Sequence, residues 1–154
     1  MTTPAPIPGV RPARPEDVSA IFEMVRAFYA EERYAFALDE ARASLVRLLG
    51  EPALGRVYVL QDEGVTAGYA ILTFGYSLEY GGRDAFLDEL FVRPESRGRG
   101  LGGAALAVLE DVCRTHGVRS LHLEVERSKT RTQALYERAG FKSNDRTLLT
   151  KTID

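Results

Sequence analysis

The segment from Leu87 to Leu109 is the part of the sequence that most constrains how this chain folds. It reads as an apolar strand, LDELFV, then a proline turn, a glycine-rich loop, RGRGLGG, and an apolar helix that begins near Ala104. The first N–H groups of a helix have no partner within the helix and lie at the positive end of its dipole. Because glycine lets an anion approach the backbone closely, this strand–loop–helix segment predicts a phosphate-binding site.

The predicted loop matches neither of the two common nucleotide-binding loops. A dinucleotide fingerprint follows the first strand of a parallel unit, whereas this loop comes late, after a predicted antiparallel hairpin. An NTPase loop requires Gly-Lys-Ser or Gly-Lys-Thr, and this loop has no lysine. Taken alone, the loop is also compatible with a tight turn that binds nothing. The residues expected to contact the phosphates, with the arginines adding fixed charge, are Arg97, Gly98, Arg99, Gly100, Leu101, Gly102 and Gly103.

Length and composition predict one globular domain. The 154 residues lead us to expect a flexible leader over residues 1–9 and a single folded domain over residues 10–154. A net charge of −2 argues against a general nucleic-acid binder. The single cysteine, Cys113, excludes an intrachain disulfide and argues against a cysteine-based metal site, so no metal is expected. Because the sequence shows no secretory signal pattern and no apolar run of membrane-spanning length, we expect a cytoplasmic protein without a membrane partner.

Hydrophobic periodicity and turn residues predict the element order β-α-α-β-β-β-α-β-α-β. A short strand at residues 10–13 precedes two helices, over residues 15–29 and 39–49, and then a hairpin with the turn Asp62-Glu63-Gly64. The later predicted elements follow in chain order: a polar loop over 76–84, a strand over 86–92, a helix to residue 116, a strand over 120–125, a helix over 132–139, and final strands at Phe141 and over 147–152. Together they predict one mixed α/β sheet.

Two motifs in this order resemble those of the GNAT acetyltransferase superfamily. The loop RGRGLG at residues 97–102, after a strand ending in LFV, resembles the family's acetyl-coenzyme-A loop, Gln/Arg-x-x-Gly-x-Gly/Ala. The segment ALYERAGF at residues 134–141 resembles the family's LYxxxGF helix. The two motifs have about the family's separation, and the element order over residues 10–152 agrees with it. The resemblance therefore covers nearly the whole chain.

The resemblance implies a fold and a mode of cofactor binding. The expected fold is a single α/β (α+β) domain with a mixed, mostly antiparallel, twisted sheet, splayed central strands and helices on both faces. Acetyl-CoA is expected to lie in the splay, with its pantetheine bonded to the backbone near Phe91 and Val92 and its pyrophosphate on residues 97–103. Lys129 stands where the family often has an asparagine that contacts the cofactor, and we expect the lysine to reach a phosphate instead. Family members often dimerise, which leaves a homodimer open.

Tyr136 is the first candidate catalytic residue. In acyl transfer from a thioester the departing thiolate benefits from a proton donor, and a phenol is protonated at neutral pH. The resemblance assigns the general acid near the sulfur to the motif tyrosine, here Tyr136. From the residue type alone, a tyrosine that packs under the sheet is the alternative.

Asp88 and Glu89 are candidates for accepting the proton that an acceptor ammonium must lose before it attacks. Both lie in the middle of a predicted strand, where carboxylates are uncommon. Strand alternation predicts that they point to opposite faces, with Glu89 on the same face as Leu87. The polyamine-acetylating branch of the family has a similar Leu-Glu-Asp-Phe-Phe-Val strand, in which the candidate base matches Asp88.

The other reactive side chains have structural interpretations. Either strand acid has the alternative of an ion pair with an arginine such as Arg83 or Arg93, and a water chain is an alternative base. His116 and His122 are expected to be structural, because no metal-ligand or triad spacing accompanies them. Cys113 is expected to lie in the core.

Aromatic and acidic residues near the first helices and before strand 86–92 predict a surface for a cationic acceptor, through carboxylate pairing and cation–π contacts. They are Tyr29, Glu31, Glu32, Tyr34, Tyr76, Glu79 and Tyr80. A solvated surface is the alternative. With the resemblance, they lead us to expect an N-acetyltransferase that transfers an acetyl group from acetyl-CoA to a primary amine, with a small amine or polyamine favoured. The alternatives are a protein lysine or N-terminal acetyltransferase, and a module that binds acyl-CoA without turnover.

Overall fold

The computed structural model describes residues 9–35 and 37–154, so the expected leader, apart from Gly9, lies outside the described residues. These residues form two short 3-10 turns, Pro15–Asp17 and Pro94–Ser96, and nine helices and strands. In chain order these are β1 (Val10–Pro12), α1 (Val18–Glu32), α2 (Leu38–Gly50), β2 (Gly55–Asp62), β3 (Val65–Ser77), β4 (Gly82–Val92), α3 (Leu101–Thr115), β5 (Ser120–Leu123) and α4 (Thr130–Arg138).

The chain divides into two compact units, the first ending at Glu124 and the second comprising Val125–Asp154. The first unit holds all five strands and helices α1 to α3, and the second holds α4 and the C-terminal segment. The final strands predicted at Phe141 and over residues 147–152 are wrong for the described residues, in which no strand follows Leu123. Residues 147–152 place two leucines side by side instead of alternating apolar with polar residues, so a strand there has no single face to bury.

The sheet has the strand order β1-β2-β3-β4-β5, with β1 to β4 antiparallel and β5 parallel to β4. In the turn from β2 to β3, Glu63 and Gly64 have φ of 50° and 80°. A two-residue hairpin turn needs such left-handed residues, and the predicted turn is confirmed. The loop predicted over residues 76–84 is shorter in the structure, because the cross-strand pair Tyr76 and Arg83 extends both strands.

The two faces of the sheet carry different helices. Helices α1 and α2 cover a buried core that includes Ile21, Met24, Tyr69, Ile71 and Phe91. Strand alternation directs the neighbouring buried residues of β2 and β3 to the opposite face. Helix α3 contacts β1, β2 and β4 and buries its own apolar residues there. Burial of each large apolar side chain stabilises the fold by about 1.5–3 kcal/mol.

Strands β4 and β5 pair over only part of their length. The pairing begins at Asp84 with Ser120 and ends at Leu87 with Leu123. Strand β4 continues beside β3 to Val92, beyond the last residue that pairs with β5. The carboxyl end of β4 therefore has one paired edge, which is the edge that faces β3.

Candidate functional site

The glycine loop leads into helix α3 in a conformation that exposes its backbone. Gly98 and Gly100 have φ of 79° and 80°, the left-handed region in which glycine is favoured. The helix begins at Leu101, earlier than predicted, so Gly102 and Gly103 lie in its first turn. Within the described part of the chain no side chain caps this helix, and its first N–H groups remain available to a ligand. A Cβ built on Gly98, Gly100 or Gly103 meets no atom within 4 Å, so the loop fits a pyrophosphate.

The two loop arginines are engaged with carboxylates. Nη2 of Arg97 lies 2.8 Å from Oε2 of Glu31 in α1. Its Nε donates a 2.8 Å hydrogen bond to the Val92 carbonyl oxygen. Nη1 of Arg99 lies 2.7 Å from Oδ2 of Asp62, at the end of β2. These carboxylate partners, which were not predicted from the sequence, neutralise part of the positive charge beside the loop.

Strand β4 contains a β-bulge at Asp88. Ile71 of β3 pairs with Glu89 and Leu72 pairs with Leu87, so Asp88 is the extra residue between two consecutive pairs. The bulge shifts the alternation by one residue. Glu89 therefore shares the α1 face with Ile71, whereas Leu87 lies on the opposite face. The prediction that Glu89 and Leu87 share a face is wrong for this reason.

Glu89 is partly buried and held by two tyrosines. Its Oε2 accepts a 2.6 Å hydrogen bond from the hydroxyl of Tyr29 in α1. Its Oε1 accepts a 2.7 Å hydrogen bond from the hydroxyl of Tyr69 in β3. Burial raises the pKa of the Glu89 carboxyl, and the two hydrogen bonds oppose this rise. Burial likewise raises the pKa of both tyrosines, so the hydroxyls keep their protons at neutral pH.

Asp88 differs from its neighbour in exposure. Its side chain is accessible to solvent at the bulge. The surrounding protein still reduces its solvation enough to raise the pKa of the carboxyl. The alternative of an ion pair with Arg83 or Arg93 is not observed for either acid. The Arg83 guanidinium lies 4.4 Å from the centre of the Phe74 ring, and Nε of Arg93 donates to the Thr66 carbonyl oxygen at 3.1 Å.

The second unit carries Tyr136 and Lys129. Tyr136 lies in α4 and packs its ring against Phe141 at a centroid distance of 5.8 Å. The Phe141 N–H donates a 3.0 Å hydrogen bond to the Tyr136 carbonyl oxygen, so the LYxxxGF motif forms the end of this helix. Burial raises the pKa of the Tyr136 hydroxyl. Lys129 precedes the first turn of α4, and its carbonyl oxygen accepts from the N–H of Gln133 at 3.0 Å. Their roles toward the cofactor stay predictions.

The remaining reactive side chains have protein partners. His116 donates from Nδ1 to the Val112 carbonyl oxygen at 2.9 Å. His122 directs Nε2 toward Asp84 at 3.2 Å, a pairing that the sequence analysis did not predict. Cys113 is buried, as expected, and burial raises the pKa of its thiol to about 11. Over residues 9–35 and 37–154, no group of three His, Cys, Asp or Glu side chains is placed to hold a metal. No helix in that part of the chain is long and apolar enough to cross a membrane.

Tyr69 is the site residue that sequence reasoning missed. It lies in the apolar run of β3, is fully buried and supplies one of the two hydrogen bonds to Glu89. A buried tyrosine hydroxyl needs a polar partner. The available signal was a tyrosine at a core position of one strand of a hairpin, with a carboxylate in the other strand.

Comparisons with known proteins show the family to which the chain is similar. Residues 18–141 match the family described as the Acetyltransferase (GNAT) family. The chain is 30% identical over 139 residues to the Uncharacterized N-acetyltransferase YhfO of Bacillus subtilis (strain 168), covering 88% of this chain and 90% of that protein. It is 33% identical over 73 residues to a Thialysine N-epsilon-acetyltransferase of Bos taurus, covering 47% and 42%.

The fold is also similar to that of a solved structure, the Integron Cassette Protein HFX_CASS3 from the mobile metagenome of Cole Harbour Salt Marsh. The two chains share 39% sequence identity with a TM-score of 0.85, covering 96% of this chain and 91% of that chain. The predicted α+β class, with one mixed and mostly antiparallel sheet flanked by helices, is confirmed.

Proposed function

We propose that this chain, which belongs to the GNAT acetyltransferase family, acetylates the primary amine of a small molecule, with polyamines as the favoured class. Family membership carries the acetyl-CoA-dependent N-acetyltransferase activity. The acceptor class is our proposal. The observation that carries it is the pair of adjacent carboxylates at the β4 bulge, Asp88 and Glu89, beside the Tyr29 hydroxyl. One relative is by name a thialysine N-epsilon-acetyltransferase, which supports a small amine as acceptor.

The glycine loop is the proposed binding site for the cofactor's pyrophosphate. Acetyl-CoA supplies an acetyl group on a thioester, which an amine takes up with release of the thiol. The uncapped first turn of α3 offers N–H groups to the phosphate oxygens, and the left-handed Gly98 and Gly100 keep side chains away from them. Arg97 and Arg99 exchange a carboxylate partner for a phosphate partner. The backbone near Phe91 and Val92, and the side chain of Lys129, are further proposed contacts that rest on the family resemblance.

Asp88 is the proposed base. An ammonium with a pKa near 10 must lose a proton to become a nucleophile at neutral pH. Asp88 is exposed, and its raised pKa makes it a better proton acceptor than an ordinary aspartate. Both oxygens of Glu89 already accept hydrogen bonds, from Tyr29 and Tyr69, so Glu89 is the proposed positioning residue. The proton then passes from the amine to the Asp88 carboxylate, directly or through a water.

Tyr136 is the proposed general acid, and this assignment rests on the sequence motif. Its raised pKa keeps the hydroxyl protonated at neutral pH, as a proton donor to a thiolate requires. The acetyltransferase domain over residues 10–154, a homodimer and a cytoplasmic location belong to the same proposal and rest on the resemblance and the sequence pattern. A protein acceptor and binding without turnover are the alternatives that the screen below distinguishes from this activity.

A screen for acetyl-CoA consumption tests the proposal. Thiol release is measured with polyamines, aminoglycosides, amino acids and peptides as acceptors, and mass spectrometry confirms the acetylated amine. We expect the highest kcat/KM for polyamines. Turnover confined to peptides would contradict the small-amine acceptor, and the absence of turnover with every amine would contradict the activity itself.

A further inference from the structure

Four side chains near the start of β4 form a cluster that the proposed chemistry does not use. We infer that Tyr80, Asp84, Phe86 and His122, here called the distal cluster, bind a second ammonium group of the acceptor. This inference rests on the proposed function and narrows its acceptor class to long polyamines.

The distal cluster combines aromatic rings with a carboxylate. The rings of Tyr80 and Phe86 lie 4.9 Å and 5.8 Å from the imidazole of His122, measured between centroids. Oδ2 of Asp84 lies 3.2 Å from Nε2 of His122. Both Asp84 and His122 keep part of their side chains accessible, at 20% and 25%. A carboxylate beside aromatic rings is the combination that attracts an organic ammonium ion.

A Ser-His-Asp relay is excluded for this cluster. The Oγ of Ser120 lies 3.2 Å from the same Nε2 of His122 that faces Asp84. A relay requires the serine and the carboxylate to bond to different nitrogens of the ring. The cluster is therefore interpreted as a binding site.

The absence of a side chain at Gly75 makes room for the other oxygen of Asp84. A Cβ built on Gly75 would lie 2.7 Å from Oδ1 of Asp84, so the carboxylate occupies the space above a residue that has no side chain. Oδ1 has no hydrogen-bond partner among residues 9–35 and 37–154. His122 thus holds Oδ2, and Oδ1 is available to an ammonium.

Strand β3 shows how far the distal cluster lies from the proposed reaction site. Glu89 pairs with Ile71 and Asp84 pairs with Gly75. Ile71 and Gly75 are four residues apart on a strand, so they lie on one face at a distance of about 14 Å. Asp84 is therefore on the same face as Glu89. The proposed ligand extends from Asp84 along the sheet toward the exposed Asp88, which precedes Glu89 in β4.

The α1 face of β3 becomes more exposed from Ile71 toward Gly75. Ile71 belongs to the buried core beneath α1 and α2. Thr73, the next residue of β3 on that face, is half-buried, and Gly75 after it is exposed. The face is therefore covered by helices at Ile71 and open at Gly75, so the reacting ammonium is placed at the exposed Asp88 and the second ammonium at Asp84. The length of this path fits an acceptor with one ammonium at each end, as in a tri- or tetraamine. A short diamine is too short to span it.

Direct binding tests the inference without turnover. Spermine and 1,4-diaminobutane are titrated by calorimetry into the protein saturated with CoA, using the wild type, Asp84→Asn and Asp111→Asn. Asp111 pairs with Arg114 in α3, so its change alters the charge equally away from the distal cluster. We expect Asp84→Asn to weaken spermine binding about tenfold or more, as for loss of one charge-assisted contact, and to leave 1,4-diaminobutane and the Asp111→Asn control unchanged. Equal spermine affinity in the wild type and Asp84→Asn would overturn the inference.

A second variant, Gly75→Ala, tests the inference independently of any folding defect in Asp84→Asn. Gly75→Ala keeps the charge but forces the Asp84 carboxylate to move, because the added methyl occupies its place. We expect the same selective loss of spermine affinity, with an unfolding temperature close to that of the wild type. Unchanged spermine affinity in Gly75→Ala would contradict the proposed position of the ammonium.

Turnover separates this inference from the proposed function. If spermine binds through Asp84 but no amine is acetylated, the proposed function fails and the distal cluster stands as a polyamine site. If spermine and 1,4-diaminobutane are acetylated with equal KM in the wild type and in Asp84→Asn, the distal cluster fails and the proposed function stands.

Discussion

The Tyr29 hydroxyl donates a 2.6 Å hydrogen bond to Oε2 of Glu89, which joins helix α1 to strand β4. The two residues are 60 positions apart in sequence. With the Tyr69 hydroxyl on Oε1, both oxygens of one partly buried carboxylate are satisfied by phenols that burial keeps protonated. This arrangement links the stability of the fold to the geometry of the proposed acceptor site.

Tyr29→Phe is expected to destabilise the protein by about 1–3 kcal/mol, because Oε2 of Glu89 loses its partner while the ring packing is kept. Urea unfolding measures the difference. Tyr76→Phe is the matched control, since the Tyr76 side chain is 77% exposed, and its expected change is within about 0.5 kcal/mol. Equal stability of Tyr29→Phe and wild type would show that the hydrogen bond contributes nothing.

Glu89→Gln is expected to change how stability depends on pH. The pKa of Glu89 is raised in the folded protein above its ordinary value of 4.5. The folded state therefore binds this proton more tightly than the unfolded state. The contribution of this proton binding to the free energy of unfolding is fully present below pH 4.5. It is lost as the pH rises through the pKa that Glu89 has in the folded protein.

The measurement for this prediction is urea unfolding between pH 4 and 8. We expect the stability of the wild type, relative to Glu89→Gln, to fall as the pH rises above the ordinary carboxyl range. Asp88→Asn is measured in parallel, because the pKa of Asp88 is also raised. A stability difference between wild type and Glu89→Gln that is constant over this range would contradict the raised pKa.

Asp88→Asn is expected to reduce kcat/KM by about 10²–10⁴-fold, as for loss of a positioned base. The expected loss in Glu89→Gln is smaller. Both amides nearly preserve shape and remove the charge. The wild-type kcat/KM should rise with pH as the Asp88 carboxyl and the amine lose their protons. In Asp88→Asn, only the rise caused by deprotonation of the amine should remain. The reverse ranking would assign the base to Glu89, and small equal losses would point to a base reached through water.

Gly100→Val is expected to abolish cofactor binding. Gly100 has φ of 80°, which a β-branched residue adopts only with strain, and the side chain would enter the space in front of α3. In the wild type, acetyl-CoA at a hundredfold its Kd should add about 2.7 kcal/mol to stability. Thermal unfolding with and without acetyl-CoA measures the stabilisation in the wild type and its loss in Gly100→Val. Gly50→Ala, at the end of α2, is the control. A wild-type protein without a thermal shift would contradict the cofactor assignment.

Tyr136→Phe is expected to fold and to bind acetyl-CoA, but to lower kcat by about 10²–10⁴-fold, because the ring packing on Phe141 stays and the proton donor is lost. Single-turnover kinetics isolates the chemical step, and Tyr58→Phe, at a buried position of β2, serves as the control. An unchanged chemical rate would make Tyr136 a packing residue.

The features that could be read from the sequence are local. The left-handed turn at Gly64, the glycine-rich start of α3 and the left-handed Gly140 just after the motif helix α4 each depend on residues close together in the chain. Residue type and spacing determine such features, so the fold class and the glycine-rich turn into α3 were predictable. The bounds of α3 and of the β3–β4 loop shifted by a few residues, because tertiary pairing extends or shortens an element.

The features that could not be read depend on cross-strand register and on distant partners. Regular strand alternation predicts that Glu89 and Leu87 lie on the same face of the sheet. The bulge places them on opposite faces, because register is set by both strands and by the packing on each face. The carboxylate partners of Arg97 and Arg99 come from residues 66 and 37 positions away. No spacing rule within one segment carries that information.

The bulge makes Asp88 dispensable to the sheet. Leu87 and Glu89 pair with consecutive residues of β3, so a chain lacking only Asp88 would join them in a regular ladder with every other cross-strand pair in place. A one-residue deletion here leaves the faces of Leu87 and Glu89 as they are, whereas an insertion elsewhere in β4 would turn half of the strand over. The strand therefore contains one position at which the requirements of folding and of chemistry are separate, and substitution or deletion there changes the proposed reaction without changing the register of the sheet.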